Sequence, residues 1–265
     1  MKIIKTKKSL SPIKAVVMDF DGTISTLRKG WEDIMLPMFL EFIFSGEEQN
    51  DKTLSEVADY IDSSTGIQTI HQMNWLANRV KNNKNSERDG WWYKQEYNNR
   101  LMIPVNERTH DINTGKKNAD DFMLIGSLEF LKCLKNKGIP IYIASGTDTE
   151  DVKKEADILG VTPYVINIAG AKKNEISCSK EAVLKKLIQN IGLPAEQIMV
   201  IGDGKVEISL AAKSGAFAVG IASDEEKREG INPLKEPRLI NAGANIIIGD
   251  YKEREEIFEM AGVSL

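Results

Sequence analysis

The stretch "AVVMDFDGTIS", residues 15–25, ends an apolar run with two carboxylates, Asp19 and Asp21, and then Gly22 and Thr23. Side chains at i and i+2 of an extended chain face the same way, so both acids can serve one reacting centre. One could attack as a nucleophile, as in aspartyl-phosphate chemistry. The other could protonate the leaving oxygen and afterwards activate water. Their spacing permits the two roles without assigning them. Two further groups of polar residues follow apolar runs. Ser145, Gly146, Thr147 and Asp148 come after "IPIYIA", and Gly202, Asp203, Gly204 and then Glu207 come after "IMVI". Carboxylates brought close together repel one another unless a cation lies among them. Oxygen ligands of this kind point to Mg²⁺, which binds one or two carboxylates and keeps its other places for water and phosphate oxygens.

Something must bring these three segments to one place. Residues 13–19, 139–144, 198–201 and 216–222 read as strands, with 164–169 and 245–249 as shorter ones. Near-continuous apolar runs suit strands covered on both faces, as in a parallel sheet. Helical spacing separates them over 127–136, 149–159, 180–191 and 206–214, and a glycine follows each. Strands alternating with helices imply right-handed crossovers and an α/β, doubly wound parallel sheet. Ligand sites in such sheets lie off the C-terminal strand ends, where the polar groups above fall.

Residues 28 to about 119 break the rhythm. They hold all four tryptophans (Trp31, Trp75, Trp91 and Trp92) and four helical patterns, which reads as a helical insertion after the first strand. Pro37 is expected to kink or start the first of these helices, and the fourth is expected to stop before Pro104. The segment 81–90, "KNNKNSERDG", reads as a polar loop. The tryptophans read as packing between helices.

The 265 residues allow one large domain or a core with a smaller one. A net charge of −4 gives no bulk attraction to nucleic acid or anionic membrane. Cys133 and Cys178 make neither a disulfide framework nor a zinc cluster, and fit a reducing cytoplasm. The basic start, "MKIIKTKKSLSPIK", lacks the apolar run of a signal peptide and is expected to be a solvated tail. No stretch approaches the length of a membrane span.

The residues quoted resemble the motifs of the haloacid dehalogenase superfamily. "VVMDFDGTIS" resembles the first motif, the hydroxyl of "IASGTD" the second, the lysine of "CSKEAVLKKL" the third, and "VIGDGKVEISLA" the fourth. They stand in the right order over about residues 13 to 222. The resemblance implies a Rossmann-like core, residues 1–27 and 120–265, with an all-helical cap, 28–119, that closes over the site and reads the leaving group. It implies Asp19 as nucleophile and Mg²⁺ ligand, and Asp21 as general acid/base with its carbonyl on the metal. Ser145 would hold a phosphoryl oxygen, with backbone N–H groups around Gly22, Thr23 and Gly146. Lys180 would neutralise Asp19 and the phosphate. Asp203 would hold Mg²⁺, and Glu207, one methylene longer than the family's frequent Asp, would bind it or orient its waters. True dehalogenases of this kind lack the second acid and phosphonate-cleaving relatives have Ala there, so Asp21 favours a phosphate monoester hydrolase or a phosphomutase.

The expected activity is therefore hydrolysis of a small phosphorylated metabolite, with no nucleic acid or membrane partner. A β-phosphoglucomutase-like phosphotransferase would use the same core residues, and a non-catalytic module would bind a phosphorylated ligand or a protein in the same cleft. Some residues have plainer readings. Ser145 and Asp148 could cap the helix after them, and Glu207 could be an ordinary helix carboxylate. Lys180 could be a surface lysine, with Lys172 and Lys173 competing for its role. His71 and His110 read as structural or exposed. Arg28, Lys29, Arg100 and Arg108 could meet a second anionic group on the substrate.

Overall fold

The computed structural model describes residues 1–4, 11–84, 88–171 and 180–263. Lys172, Lys173 and Cys178 lie outside them, as does the side chain of Lys180. The described residues form two compact units, Met1–Lys29 with Arg108–Leu265, and Gly30–Glu107. Residues 108–119 thus belong with the first unit, whereas the sequence reading placed them in the insertion.

The first unit is built on seven described strands: β1 (Lys2–Ile3), β2 (Ala15–Met18), β3 (Ile141–Asp148), β4 (Asn167–Ala171), β5 (Ile198–Gly202), β6 (Phe217–Ile221) and β7 (Ile246–Ile248). Their order is β1-β7-β6-β5-β2-β3-β4, with β1 antiparallel to β7 and every other pair parallel. The chain leaves β2 towards β3 and β4, then returns to lay β5 on the other side of β2. That reversal is the switch point where open α/β sheets bind ligands. The start of the chain corrects the expectation of a solvated tail. Lys2 and Ile3 pair with Ile247 and Ile246, because an edge strand offers unpaired backbone groups even to a short, exposed segment.

Alternate strand residues enter different cores. Met18, Ile143, Met199, Ile201 and Val219 pack on one face of the sheet, and Val17, Ala144, Ile198, Val200 and Ala218 on the other. Helices α1 (Trp31–Phe44), α2 (Asp51–Ser63), α3 (Thr69–Lys84) and α4 (Gly90–Asn113) come first in the chain. Helices α5 (Ser127–Asn136), α6 (Thr149–Ile158), α7 (Lys180–Ile191), α8 (Lys205–Ser214), α9 (Lys235–Ala242) and α10 (Arg254–Met260) follow. Phe130 and Leu131 of α5, Val152 and Ala156 of α6 and Phe258 of α10 cover the first face. Leu184 of α7, Ile208 and Ala211 of α8 and Leu239 of α9 cover the second. Both faces are buried, which is why the strands read as unbroken apolar runs. No described helix is long and apolar enough to cross a membrane.

The inserted unit, Gly30–Glu107, has its own core of Met35, Met38, Phe39, Val57, Met73, Leu76, Tyr93 and Tyr97. Trp75 stacks on Tyr60 with ring centres 4.1 Å apart, and Trp92 meets Phe42 edge-on at 5.6 Å, so these two tryptophans pack between helices. Helix α4 does not stop before Pro104 but runs through it to Asn113. Proline forfeits one backbone hydrogen bond. Against that, Tyr93, Tyr97, Leu101 and Val105 keep an i, i+4 buried stripe across the proline, and that burial holds the helix together. Pro37 likewise sits inside α1. The expected loop at 81–90 is shortened from both ends, since α3 reaches Lys84 and α4 starts at Gly90.

Candidate active site

Asp19 follows the last residue of β2, and its backbone N–H bonds to Ile201 of β5 at 2.8 Å. The register Met18↔Ile201 puts Asp19 beside the Gly202-Asp203 end of β5. Gly202 and Gly204 leave room for Glu207, whose oxygens and Cγ stand 2.5–2.8 Å from where their Cβ atoms would be. One carboxylate oxygen each from Asp19, Asp203 and Glu207 lies within 4.8 Å of the others, with Asp19 and Glu207 buried. Glu207 Oε1 accepts the Gly204 N–H at 2.7 Å, so the residue that joins this cluster also caps its own helix. Three carboxylates so close, two of them out of solvent, form an oxygen donor set suited to a hard divalent cation.

Asp21 leaves this cluster for a different one. The turn after β2 closes through Gly22 N–H to Ser25 at 2.9 Å and Ile24 N–H to Phe20 at 2.9 Å. Gly22 has φ 67°, and a Cβ there would stand 2.4 Å from Asp203 Oδ2, so any side chain at this position is strained and pushes on Asp203. Asp21 Oδ2 accepts the Thr147 hydroxyl at 2.8 Å and the Ser145 hydroxyl at 3.4 Å. Those hydroxyls reach it because β3 bulges. Ala144 pairs with Ala169 and Asp148 with Ala171, so four steps on β3 oppose two on β4. The bulge lifts Ser145, Gly146 and Thr147 out of the ladder. Ser145 lies in this bulge, three residues before the cap position of α6, and so is not a helix cap, and Asp148, at that position, makes no side-chain capping hydrogen bond.

Further titratable groups complete the surroundings: Arg28, expected only as a contact for a second anion, and Glu155, Lys235, Glu225 and Tyr251, which the sequence reading missed. Arg28 is half-buried and turns its Nε and Nη2 onto Glu155 of α6, with a shortest contact of 2.6 Å, and its Nε stands 3.7 Å from Asp21 Oδ1. Burial pulls down the guanidinium's hold on its proton, but Glu155, Asp21 and Asp151 more than restore it. Burial pushes the Glu155 carboxyl up to about 7 against the pull of Arg28. Across the site, Lys235 of α9 contacts Glu225 at 2.5 Å and Asp203 at 3.2 Å. Burial weakens the Lys235 proton and its two carboxylates hold it, with a net upward shift; burial likewise raises Glu225. Tyr251 is fully buried, which with Asp19 and Asp203 nearby keeps its phenol protonated, and it donates to the Thr23 carbonyl at 3.0 Å.

The expected residues therefore fall into groups. Asp19, Asp203 and Glu207 meet; Asp21, Ser145 and Thr147 meet beside them. Gly22 packs on Asp203, and Thr23 is wholly buried with its N–H turned back to Phe20. Lys180 is the first residue of α7, following the undescribed 172–179. Of the arginines considered for a second anion, Arg28 is held by Glu155, Arg100 by Glu41 and Glu96, and Arg108 by the carbonyls of Leu27 and Lys29. Lys29 pairs with Glu226.

Comparison with known proteins gives the chain a family and the fold its neighbours. Residues 13–215 match the family described as haloacid dehalogenase-like hydrolase. "Enolase-phosphatase E1" of Aquifex aeolicus (strain VF5) is 24% identical, over 83% of this chain and 93% of that protein. Among solved structures, a predicted phosphatase from Clostridium acetobutylicum superposes with a TM-score of 0.63 at 17% identity, covering 94% of this chain and 100% of the other. The β-phosphoglucomutase of Clostridium difficile gives 0.61 at 18% identity, with 94% and 97% covered. At these identities the structures share the fold.

Proposed function

The chain belongs to the haloacid dehalogenase-like hydrolases, and on that footing we propose that it is a Mg²⁺-dependent phosphatase hydrolysing a small phosphate monoester through an aspartyl phosphate. The observation that supports this reading most is the separation of the two acids of the first motif. Asp19 stands with Asp203 and Glu207, while Asp21 is turned to hydroxyls and a guanidinium. Two carboxyls of one chemistry in two environments can take two roles.

Asp19 attacks phosphorus in line, forming its Oδ–P bond as the bond to the leaving oxygen breaks. Asp21 gives its proton to that oxygen, then takes one from the water that hydrolyses the acyl phosphate. Ser145 and the backbone around Gly146 hold phosphoryl oxygens, and Lys180 offsets their charge; the N–H groups of Gly22 and Thr23, expected to share that task, are instead spent on the turn, on Ser25 and Phe20. Asp19, Asp203, Glu207 and the Asp21 carbonyl would hold Mg²⁺, which when bound neutralises the negative charge that would otherwise repel a phosphate. Sugar phosphates and phosphoglycolate-like acids are the first substrates to try, since relatives bear such names.

The test is phosphate release from a panel of small esters, with Mg²⁺ and with EDTA. Release that needs Mg²⁺ supports the reading. Appearance of an isomeric ester in place of free phosphate would replace it by a phosphomutase. Binding without turnover would replace it by a binding module.

A further inference from the structure

Arg28 poses a problem for an active site dominated by negative charge. Its side chain is 11% exposed, and Glu155 is 4% exposed on a helix where Glu150 and Asp157 face water. Removing two charges from water costs as much as the pair returns, so stability alone does not account for a buried ion pair. The pair also has two further carboxylates within ionic reach. Glu155 takes Arg28 side-on, with Nε at 3.1 and 3.2 Å from its two oxygens and Nη2 at 2.6 Å. That grip leaves the Nε side at 3.7 Å from Asp21 Oδ1 and Nη2 at 3.8 Å from Asp151 Oδ2.

Asp21 supplies the complementary observation. Its Oδ2 is tied to Thr147 and Ser145. Its Oδ1 is buried, accepts no hydrogen bond among the described residues, and faces Arg28. The hydroxyls hold one oxygen of the carboxyl, and the other has the guanidinium's charge 3.7 Å away.

We propose that Arg28, anchored by Glu155, is a positioning residue that orients the Asp21 carboxyl for proton transfer to the leaving oxygen. The proposal rests on Asp21 being the general acid. In this role Arg28 acts through Asp21 rather than on the substrate. A guanidinium held on two oxygens of a helix carboxylate is a rigid arm, and a lysine in its place lacks the fork that makes the arm rigid. Glu155 serves as the anchor because α6 begins directly after the β3 bulge that carries Ser145 and Thr147. Both fixings of Asp21 are thus referred to one segment of chain, 145–155.

The signature of a misplaced general acid is selectivity for the leaving group. A nitrophenolate departs without much help from a proton, whereas an alkoxide depends on one. A misplacement of about 1 Å costs on the order of 100-fold. Arg28→Gln is therefore expected to lose about 100-fold in kcat on an alkyl phosphate and less than about fivefold on p-nitrophenyl phosphate, with KM little changed. Glu155→Gln, which keeps the shape but loosens the anchor, is expected to show the same selectivity to a smaller degree, and Arg28→Lys to restore only part of the loss. Loss of folded protein would lower both substrates alike, so the ratio between them is the readout. It is read from Glu155→Gln and Arg28→Lys even if Arg28→Gln does not fold. Equal loss on both esters, or none, overturns the proposal. Asp21→Asn distinguishes its failure from that of the reading beneath it. Selective loss in Asp21→Asn without selective loss in the Arg28 and Glu155 variants removes Arg28's role alone. Wild-type turnover of the alkyl ester by Asp21→Asn removes Asp21 as the acid, and the proposal with it.

Discussion

Lys235→Met tests how the acidic edge of the site is held together without a metal. The lysine is 12% exposed at its side chain and contacts Glu225 and Asp203, themselves 17% and 14% exposed. Methionine matches its length and removes its charge. Breaking a buried pair by deleting one partner costs about 3–5 kcal/mol, because the other charge stays behind. Each kcal/mol moves the midpoint of a chain of this size by about 2–4 °C. Thermal unfolding in EDTA at pH 8 should therefore fall by roughly 6–20 °C. Glu225, already raised by burial, can escape the penalty by taking a proton. Its folded pKa lies above its unfolded one, so the variant's stability is greatest at low pH and is lost as pH rises. The deficit against wild type should accordingly be smaller at pH 5 than at pH 8. Adding Glu225→Leu removes the stranded charge and should recover at least half of the loss. A variant that unfolds within about 2 °C of wild type, or a double variant no more stable than the single one, would refute the reasoning.

Three further expectations follow from single contacts. Glu155 is raised from 4.5 to about 7, so its contribution to stability is fully present below 4.5 and lost as pH climbs through 7. Urea unfolding at pH 5 and pH 8 should show roughly 2–3 kcal/mol of this dependence in wild type and little in Glu155→Gln; an unchanged slope in the variant argues against a buried, raised Glu155. Gly22→Ala places a Cβ 2.4 Å from Asp203 Oδ2 at φ 67°, and calorimetry should show Mg²⁺ binding weakened by at least about tenfold, where equal affinity would contradict the close approach. Thr147→Val deletes the 2.8 Å bond to Asp21 and should lower kcat roughly 10–100-fold, with Thr147→Ser recovering most of it; no recovery would mean that the hydroxyl is not the cause.

How far the site could be read ahead differed with the kind of contact. Asp19 and Asp21 stood out because an apolar run announces a buried strand, but β2 ends at Met18, and the turn after it carries Asp21 to a separate group that a period of two did not foretell. Asp203 and Glu207 followed from the same logic at β5, which lies next to β2. Arg28 and Glu155 are 127 positions apart, and Lys235 and Asp203 are 32 apart. Pairs so distant carry no local pattern and exist only once the sheet has closed. Glu155 did leave a trace. It falls on the apolar stripe of Val152, Ala156 and Leu159, and an acid on a buried face asks for a cation. The bulge that turns Thr147 to Asp21 had no such trace, since Ser-Gly-Thr-Asp reads equally as a helix start. Pro104 misled for the opposite reason. Its local preference was plain, and the buried stripe of α4 outweighed it.

The central claim is that Asp19 carries the phosphoryl group between two steps. The direct measurement is to quench the enzyme in acid during turnover of its best ester and locate covalent phosphate by peptide mass spectrometry. A hydroxylamine-labile phosphoryl group is expected on the Asp19 peptide, absent from Asp19→Asn along with turnover. Phosphate release by Asp19→Asn at the wild-type rate, or a covalent phosphate on another residue, would contradict it.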